Sequence, residues 1–251
     1  MRYFAKKIVL PFLKRSHYTN ICEIGALAGG HTDQLAQRGS IKITVIDPCI
    51  STDLSEKYKE IPQITMCKGL SLDFLPRFTQ PFDCILIDGD HNWYTVYHEL
   101  KMIAEKKLLA EGGAILLHDV IWPYARRDMY YQPDNIPAEY RHPHAKQGIR
   151  YGKSALSPDF GFNPDLFNAS HEGGPRNGVL TAVEDFLKEY GHDYYFFSIE
   201  KEYGLGFLMR KNARKTILLN YFLKSKYLNL KEKAKRALKY RHWGSKYEQW
   251  A

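Results

Sequence analysis

The run Ile21-Cys22-Glu23-Ile24-Gly25-Ala26-Leu27-Ala28-Gly29-Gly30 decides the fold. An apolar strand ends in an acid, a glycine stands where the chain must turn, and small residues lead into a helical pattern. Glycine lets the backbone turn sharply and come close to a ligand, and the free amides at a helix start favour negative charge. A dinucleotide-binding turn has the pattern G-x-G-x-x-G. Here Leu27 takes the second glycine's place and the spacing is Gly25-x-x-x-Gly29, which argues against NAD.

Outward from this loop, apolar runs of strand length at 18–24, 41–46, 63–67, 82–87 and 113–117 alternate with helical patterns at 30–38, 53–60, 71–77 and 92–107. Strands alternating with helices predict a parallel sheet covered on both faces. The rhythm stops after Asp119. Residues 120–177 are rich in Pro, Gly, Tyr, His and Arg, and an insertion of this length usually has a function. The pattern resumes with a helix at 178–190 and strands at 194–199 and 206–210. Only six residues, 200–205, separate those strands, so a hairpin with an antiparallel terminal strand is predicted. Residues 3–16 read as a short amphipathic helix bent near Pro11. The organisation is thus an N-terminal helix (1–17), a domain (18–210) carrying the insertion 120–177, and a tail (211–251).

The chain has 251 residues, 44% of them hydrophobic, enough for one large α/β domain with a real core. No apolar run approaches the roughly 18 residues of a membrane span. The start, MRYFAKKIVLPFLKRSH, is basic but lacks a long apolar core and a small-residue cleavage site, which argues against a signal peptide. Cys22, Cys49, Cys67 and Cys84 form no C-x-x-C pair and fall in or at the end of apolar runs, so buried, reduced thiols in a cytoplasmic protein are expected. The net charge of +8 is uneven. Residues 211–251 hold 12 Lys/Arg against 2 Asp/Glu, leaving 24 against 26 for residues 1–210.

In an open parallel sheet, ligands gather beyond the carboxyl ends of the strands. Asp47 ends the second strand, where an acid can accept both hydroxyls of a ribose; a turn aspartate before Pro48 is the plainer reading. Gly69 and Ser71 follow the third strand, Ser71 serving equally as a helix N-cap. The fourth strand ends in Asp88-Gly89-Asp90-His91 and the fifth in His118-Asp119. Two neighbouring strands would bring Asp88, His91, His118 and Asp119 together, a set able to bind a metal or move protons.

The segment Glu23-x-Gly25-x-x-x-Gly29 resembles motif I of class I S-adenosylmethionine (SAM) dependent methyltransferases. The pairing of I-D-G-D-H-N with G-G-x-I-L-L-H-D narrows this to the group that includes macrocin-type sugar O-methyltransferases and cephalosporin-hydroxylase-like proteins, over roughly residues 18–210. The resemblance implies a Rossmann-like seven-stranded sheet, mostly parallel with an antiparallel terminal strand and helices on both faces. It implies SAM contacts from Glu23, Gly25, Gly29, Asp47, Gly69, Ser71 and Asp88, the loop at Gly69 and Ser71 bordering the adenine. In metal-dependent members an acid ending strand four and an acid pair ending strand five bind Mg²⁺, which maps to Asp88, His118 and Asp119. The proposed base maps to His91. The family's pair is Glu-Asp, whereas this chain has His118-Asp119. Imidazole is a poor Mg²⁺ ligand, so either a softer ion such as Mn²⁺ binds or His118 is not a ligand.

The insertion opens with Trp122, Tyr124, Arg126 and Arg127, directly after the strand-five acids. Aromatics suit stacking on sugar rings and arginines suit phosphate or carboxylate, so these four are the candidate acceptor contacts of a lid. Gly173-Gly174 is its candidate hinge. Residues 215–230 of the tail are expected to form a basic helix, which can pack on the body, lie on an anionic membrane, bind a partner or touch nucleic acid; a homo-oligomer is a separate option for the chain. Tyr227, Tyr240, Trp243, Tyr247 and Trp250 fit an interface of some kind. The reading that results is an O-methyltransferase acting on a small molecule or glycan. An RNA-binding protein or RNA methyltransferase using the tail, or a non-catalytic SAM or metal binder, are the alternatives. The site lacks the N-P-P-Y type signature of base N-methyltransferases, which disfavours nucleic acid.

Overall fold

A computed structural model describes the backbone of residues 1–247 except Arg2 and Ser40, and the side chains as far as Lys235. Among these residues, seven strands form one sheet: β1 (Asn20–Ile24), β2 (Lys42–Ile46), β3 (Ile64–Cys67), β4 (Phe82–Ile87), β5 (Leu109–His118), β9 (Tyr194–Ile199) and β10 (Leu205–Arg210). Their order is β3-β2-β1-β4-β5-β10-β9. The first five run parallel, and β10 is antiparallel to both β5 and β9. The last strand in sequence therefore slots inside the sheet, and β9 takes the edge.

Alternation along the strands fills two cores. Cys84 and Leu86 of β4 face one side, where Phe12, Leu13, Leu54, Ile217 and Tyr221 cover them. Ile85 and Ile87 face the other, against Trp93, Val96 and Leu100 of α5 (Trp93–Glu105) and Val183 and Phe186 of α6 (Val179–Tyr190). A strand with apolar residues on both faces has to be covered twice, which is the physical origin of the three layers. The remaining helices of the domain are α2 (Gly30–Ala36), α3 (Thr52–Lys59) and α4 (Ser71–Phe74).

The chain start holds a π-helical turn, Ala5–Val9, running into α1 (Leu10–Ser16). The irregularity lies just before Pro11, whose missing N–H removes one helix bond. Cys22 and Cys84 are buried, Cys67 is half-buried and Cys49 is exposed, so uniform burial of the four thiols does not hold. Cys49 sits past the end of β2, where the chain has already turned outward.

The insertion is a built structure. Strands β6 (Met129–Tyr130), β7 (His144–Lys146) and β8 (Phe167–Ala169) form a small antiparallel sheet in the order β6-β8-β7. Its anchor is Asp128, fully buried, which accepts hydrogen bonds from Trp93 N at 2.7 Å, Gly178 N at 2.6 Å and the Tyr130 hydroxyl at 2.9 Å. One carboxylate thus ties the insertion to the starts of α5 and α6. Asp128→Ala leaves two buried amides unpaired, at about 1–3 kcal/mol each. The expected result is a drop of about 3 kcal/mol in unfolding free energy, read as a lower denaturant midpoint.

Helix α7 (Lys215–Tyr247) packs on the body through Ile217 and Tyr221, and the Asn229 side chain clasps the β9 edge at Ser198 O and Glu200 N. Leu219, Leu223, Tyr227 and Leu230 remain exposed. The side chains of Tyr240, Trp243 and Tyr247, and all of Trp250, lie outside the described residues. Among the described residues no helix is long and apolar enough to cross a membrane.

Candidate active site

The carboxyl ends of β1, β2, β4 and β5 open onto a cavity of about 890 Å³, the size of a cofactor-plus-substrate cleft. Its floor is the turn after β1. Gly25 has φ +89°, and a Cβ there would stand 2.3 Å from the Asp88 carbonyl oxygen, so backbone meets backbone and only glycine fits. Gly29, also left-handed, starts α2 against Leu54.

Asp47 holds this turn in shape. Its Oδ2 accepts from Ala26 N and Leu27 N, both at 2.8 Å, and its Oδ1 from Cys49 N at 2.6 Å. Asp47 also lines the cavity, as do Ala26, Leu27, Ala28, Ser71 and Asp88. Glu23 is buried beneath the turn. It accepts from Thr32 Oγ1 at 2.6 Å and lies 2.6 Å from His31 Nδ1, fastening α2 to β1. Glu23, Gly29 and Gly69 shape the walls without being among the lining residues.

Opposite the turn, β4 and β5 bring four side chains together. His118 Nδ1 lies 3.1 Å from Asp88 Oδ1 and 2.8 Å from Asp119 Oδ2, and His91 Nδ1 lies 3.2 Å from the same Asp119 oxygen. The amino group of Met1 also reaches Asp88 Oδ2. Burial disfavours charge here, but the opposite charges win. The Asp88 carboxyl is held well below the usual carboxylate range by His118, the Met1 ammonium and His91, and Asp88 with Asp119 carries the His118 imidazole up to about 9. Asp119 has φ +60°, a conformation L-residues seldom adopt, and strain of this kind clusters at functional positions.

Ligand atoms of Asp88, His118 and Asp119 lie within 4.8 Å of one another, close enough to share one ion. Two carboxylates and one imidazole suit an ion that accepts both oxygen and nitrogen, and Mn²⁺ fits better than Mg²⁺. Metal and proton would compete for His118 Nδ1, the atom that now bridges the carboxylates.

The insertion contributes aromatic walls. Tyr124 stacks on His91 with ring centroids 5.4 Å apart and receives a hydrogen bond from Asn163. Tyr130, Tyr131 and Phe162 of the insertion, and Tyr203 from the turn between β9 and β10, also line the cavity. The other three early insertion candidates stand elsewhere. Arg126 forms a forked pair with Glu184 of α6, at 2.5 and 2.6 Å. Arg127 is fully buried and donates to the carbonyl oxygens of Ala169 and Ser154. Trp122 packs on Tyr151 and Phe162 outside the lining set. Gly173 is pinned by Arg126 O, and its own carbonyl receives the Asn177 amide.

Asn163 and Tyr203 have no motif to mark them, since each comes from a loop far in sequence from the strand ends they join. Glu99 is a further lining residue that the strand-end logic misses, because it projects from the middle of α5.

The sheet order, the glycine turn with its aspartate and the cleft between β4 and β5 make a Rossmann-like α/β fold with its cavity at the strand ends. Residues 22–120, from inside β1 to just past the strand-five acid, match a family model described as a methyltransferase domain. No curated protein matches the chain. Solved structures similar to it include an SAH-bound methyltransferase of Podospora anserina (15% identity, TM-score 0.49, covering 79% of this chain and 74% of that one). Others are an O-methyltransferase of Bacillus cereus in complex with SAH (17%, 0.46, 80% and 78%) and one of Streptomyces achromogenes involved in tomaymycin synthesis, in complex with SAM (16%, 0.47, 80% and 76%).

Proposed function

We propose that the protein transfers a methyl group from SAM to a hydroxyl of a small molecule or glycan, with His91 as the general base. One observation carries this reading: a single cavity runs from the Gly25 turn to the His91–Asp119 pair. SAM supplies an electrophilic methyl group on a sulfonium. The chain's own residues must then dispose of the acceptor's proton. A neutral hydroxyl is a poor nucleophile until that proton leaves, and a positioned imidazole takes it as the new C–O bond forms and the C–S bond breaks. His91 turns Nδ1 towards Asp119, which leaves Nε2 to accept the proton and lets the carboxylate stabilise the resulting imidazolium. Tyr124 keeps the ring in plane by stacking on it.

A divalent ion held by Asp88, His118 and Asp119 would supply Lewis-acid activation of the same hydroxyl. The tyrosine-rich walls favour acceptors with a flat or sugar ring. Among the described residues, none of the tail lines the cavity, and Tyr203 is the last lining residue in sequence. Its exposed leucines among lysines suit attachment of the enzyme to an anionic membrane surface rather than acceptor recognition.

The test is to incubate the full chain with methyl-labelled SAM and panels of sugar, catechol and phenol acceptors, with EDTA, Mg²⁺ or Mn²⁺. Acceptor-dependent S-adenosylhomocysteine formation is the expected result, and label on oxygen identifies the reaction. Absence of any calorimetric heat with SAM or S-adenosylhomocysteine overturns the proposal.

A further inference from the structure

Glu99 is a carboxyl without a full set of partners. Its side chain is completely buried on α5, yet it lines the cavity. Oε1 accepts from Ser71 Oγ at 2.5 Å, while Oε2 has no hydrogen-bond partner. A buried polar atom left unpaired in a well-packed protein calls for an explanation, and an absent ligand is one. The cavity it lines also presents Ile24, Ile46 and Leu70, and Asp90 of the same lining acts on it electrostatically. Cys22 of β1 is the other titratable group facing it.

Burial pushes the Glu99 carboxyl up to about 8; the Ser71 bond opposes this and Asp90 adds to it. Near neutral pH the group is therefore a carboxylic acid, with one O–H to donate and a carbonyl oxygen able to accept. That pair of functions, side by side in a slot with apolar walls, is complementary to a flat heterocycle with a donor next to an acceptor. SAM offers one such edge, the 6-amino group and N1 of its adenine.

We propose that Glu99 reads the adenine of the cofactor, Oε2–H donating to N1 and Oε1 accepting from the 6-amino group through its second lone pair, with Ser71 fixing the carboxyl in place. This rests on the reading that SAM occupies the cavity. Glu99 is then the residue that selects an adenosyl donor, whereas Asp47 and the Gly25 turn serve the rest of the cofactor.

The experiment is calorimetry on the full chain with S-adenosylhomocysteine and with its 1-deaza analogue, in which N1 is replaced by C–H. The wild type is expected to prefer the natural compound by about 30-fold, the cost of leaving one buried partner unpaired. Glu99→Gln, whose amide can make the same two bonds, is expected to keep that preference within a few-fold. Glu99→Met is expected to bind S-adenosylhomocysteine about 30-fold more weakly and the 1-deaza compound no more weakly than the wild type does. A merely structural Glu99 would weaken both ligands alike. The assignment is overturned if the wild type binds both compounds equally, or if a folded Glu99→Met keeps its preference. Should the wild type bind neither, the occupancy of the cavity by SAM fails first and this assignment with it.

Discussion

Replacing His91 with alanine is expected to lower kcat for methyl transfer by about 10²–10⁴-fold, the usual worth of a positioned general base, while S-adenosylhomocysteine binds as before. The separation of the two effects follows from the geometry. The imidazole sits between Asp119 and Tyr124, on the side of the cleft proposed for the acceptor, whereas the proposed cofactor turn after β1 is built by Asp47. The backbone of His91 keeps its hydrogen bond from Met129 N in the variant, so the insertion stays attached. Asp119 also retains His118 at 2.8 Å and is not left as an unpaired buried charge. Steady-state rates with any acceptor that gives turnover, set beside calorimetry with S-adenosylhomocysteine, check this. Unchanged kcat in the alanine variant would move the role of base to another group.

Asp47→Ala is expected to act in the opposite way, destroying cofactor affinity. In the native protein one carboxylate satisfies three backbone amides, those of Ala26, Leu27 and Cys49. Alanine leaves all three without their acceptor just where the turn must be rigid, and charge-assisted bonds of this kind are about twice as strong as neutral ones. An affinity loss of about 100-fold or more is expected, together with a fall of about 2–4 kcal/mol in stability. Asparagine is no rescue, because its amide nitrogen would confront one of the donors. Thermal melts with and without S-adenosylhomocysteine measure both terms. A variant that melts lower but shows the same ligand-induced shift would confine Asp47 to a structural role.

The contrast between strand ends and insertion shows what the chain discloses by itself. The strands at 82–87 and 194–199 could be read to the residue, because apolar runs bounded by acids and turns have few other solutions. Gly25 was legible for the same reason: its pattern reflects a backbone constraint local to a few residues. Strand β5 was read too short. Its first half, Leu109–Gly112, looks like a turn and joins the sheet only through an irregular pairing with Phe82. Arg126 and Arg127 read as ligand contacts because their true partners, Glu184 and the carbonyls of Ala169 and Ser154, are 27 to 58 residues away in sequence. Glu99 was invisible for a related reason. A glutamate in a helix is ordinary until its burial is known, and burial is a property of the whole fold.

The close approach of Gly25 to the main chain of Asp88 has a further consequence. No side chain cushions that junction, so the half of the cleft proposed for the donor and the half proposed for the acceptor meet there backbone to backbone. A ligand that seats badly in the first half would displace a carboxylate in the second without ever touching it. With the donor and the acceptor placed as proposed, selectivity for the one and competence towards the other would be adjustments of the same joint.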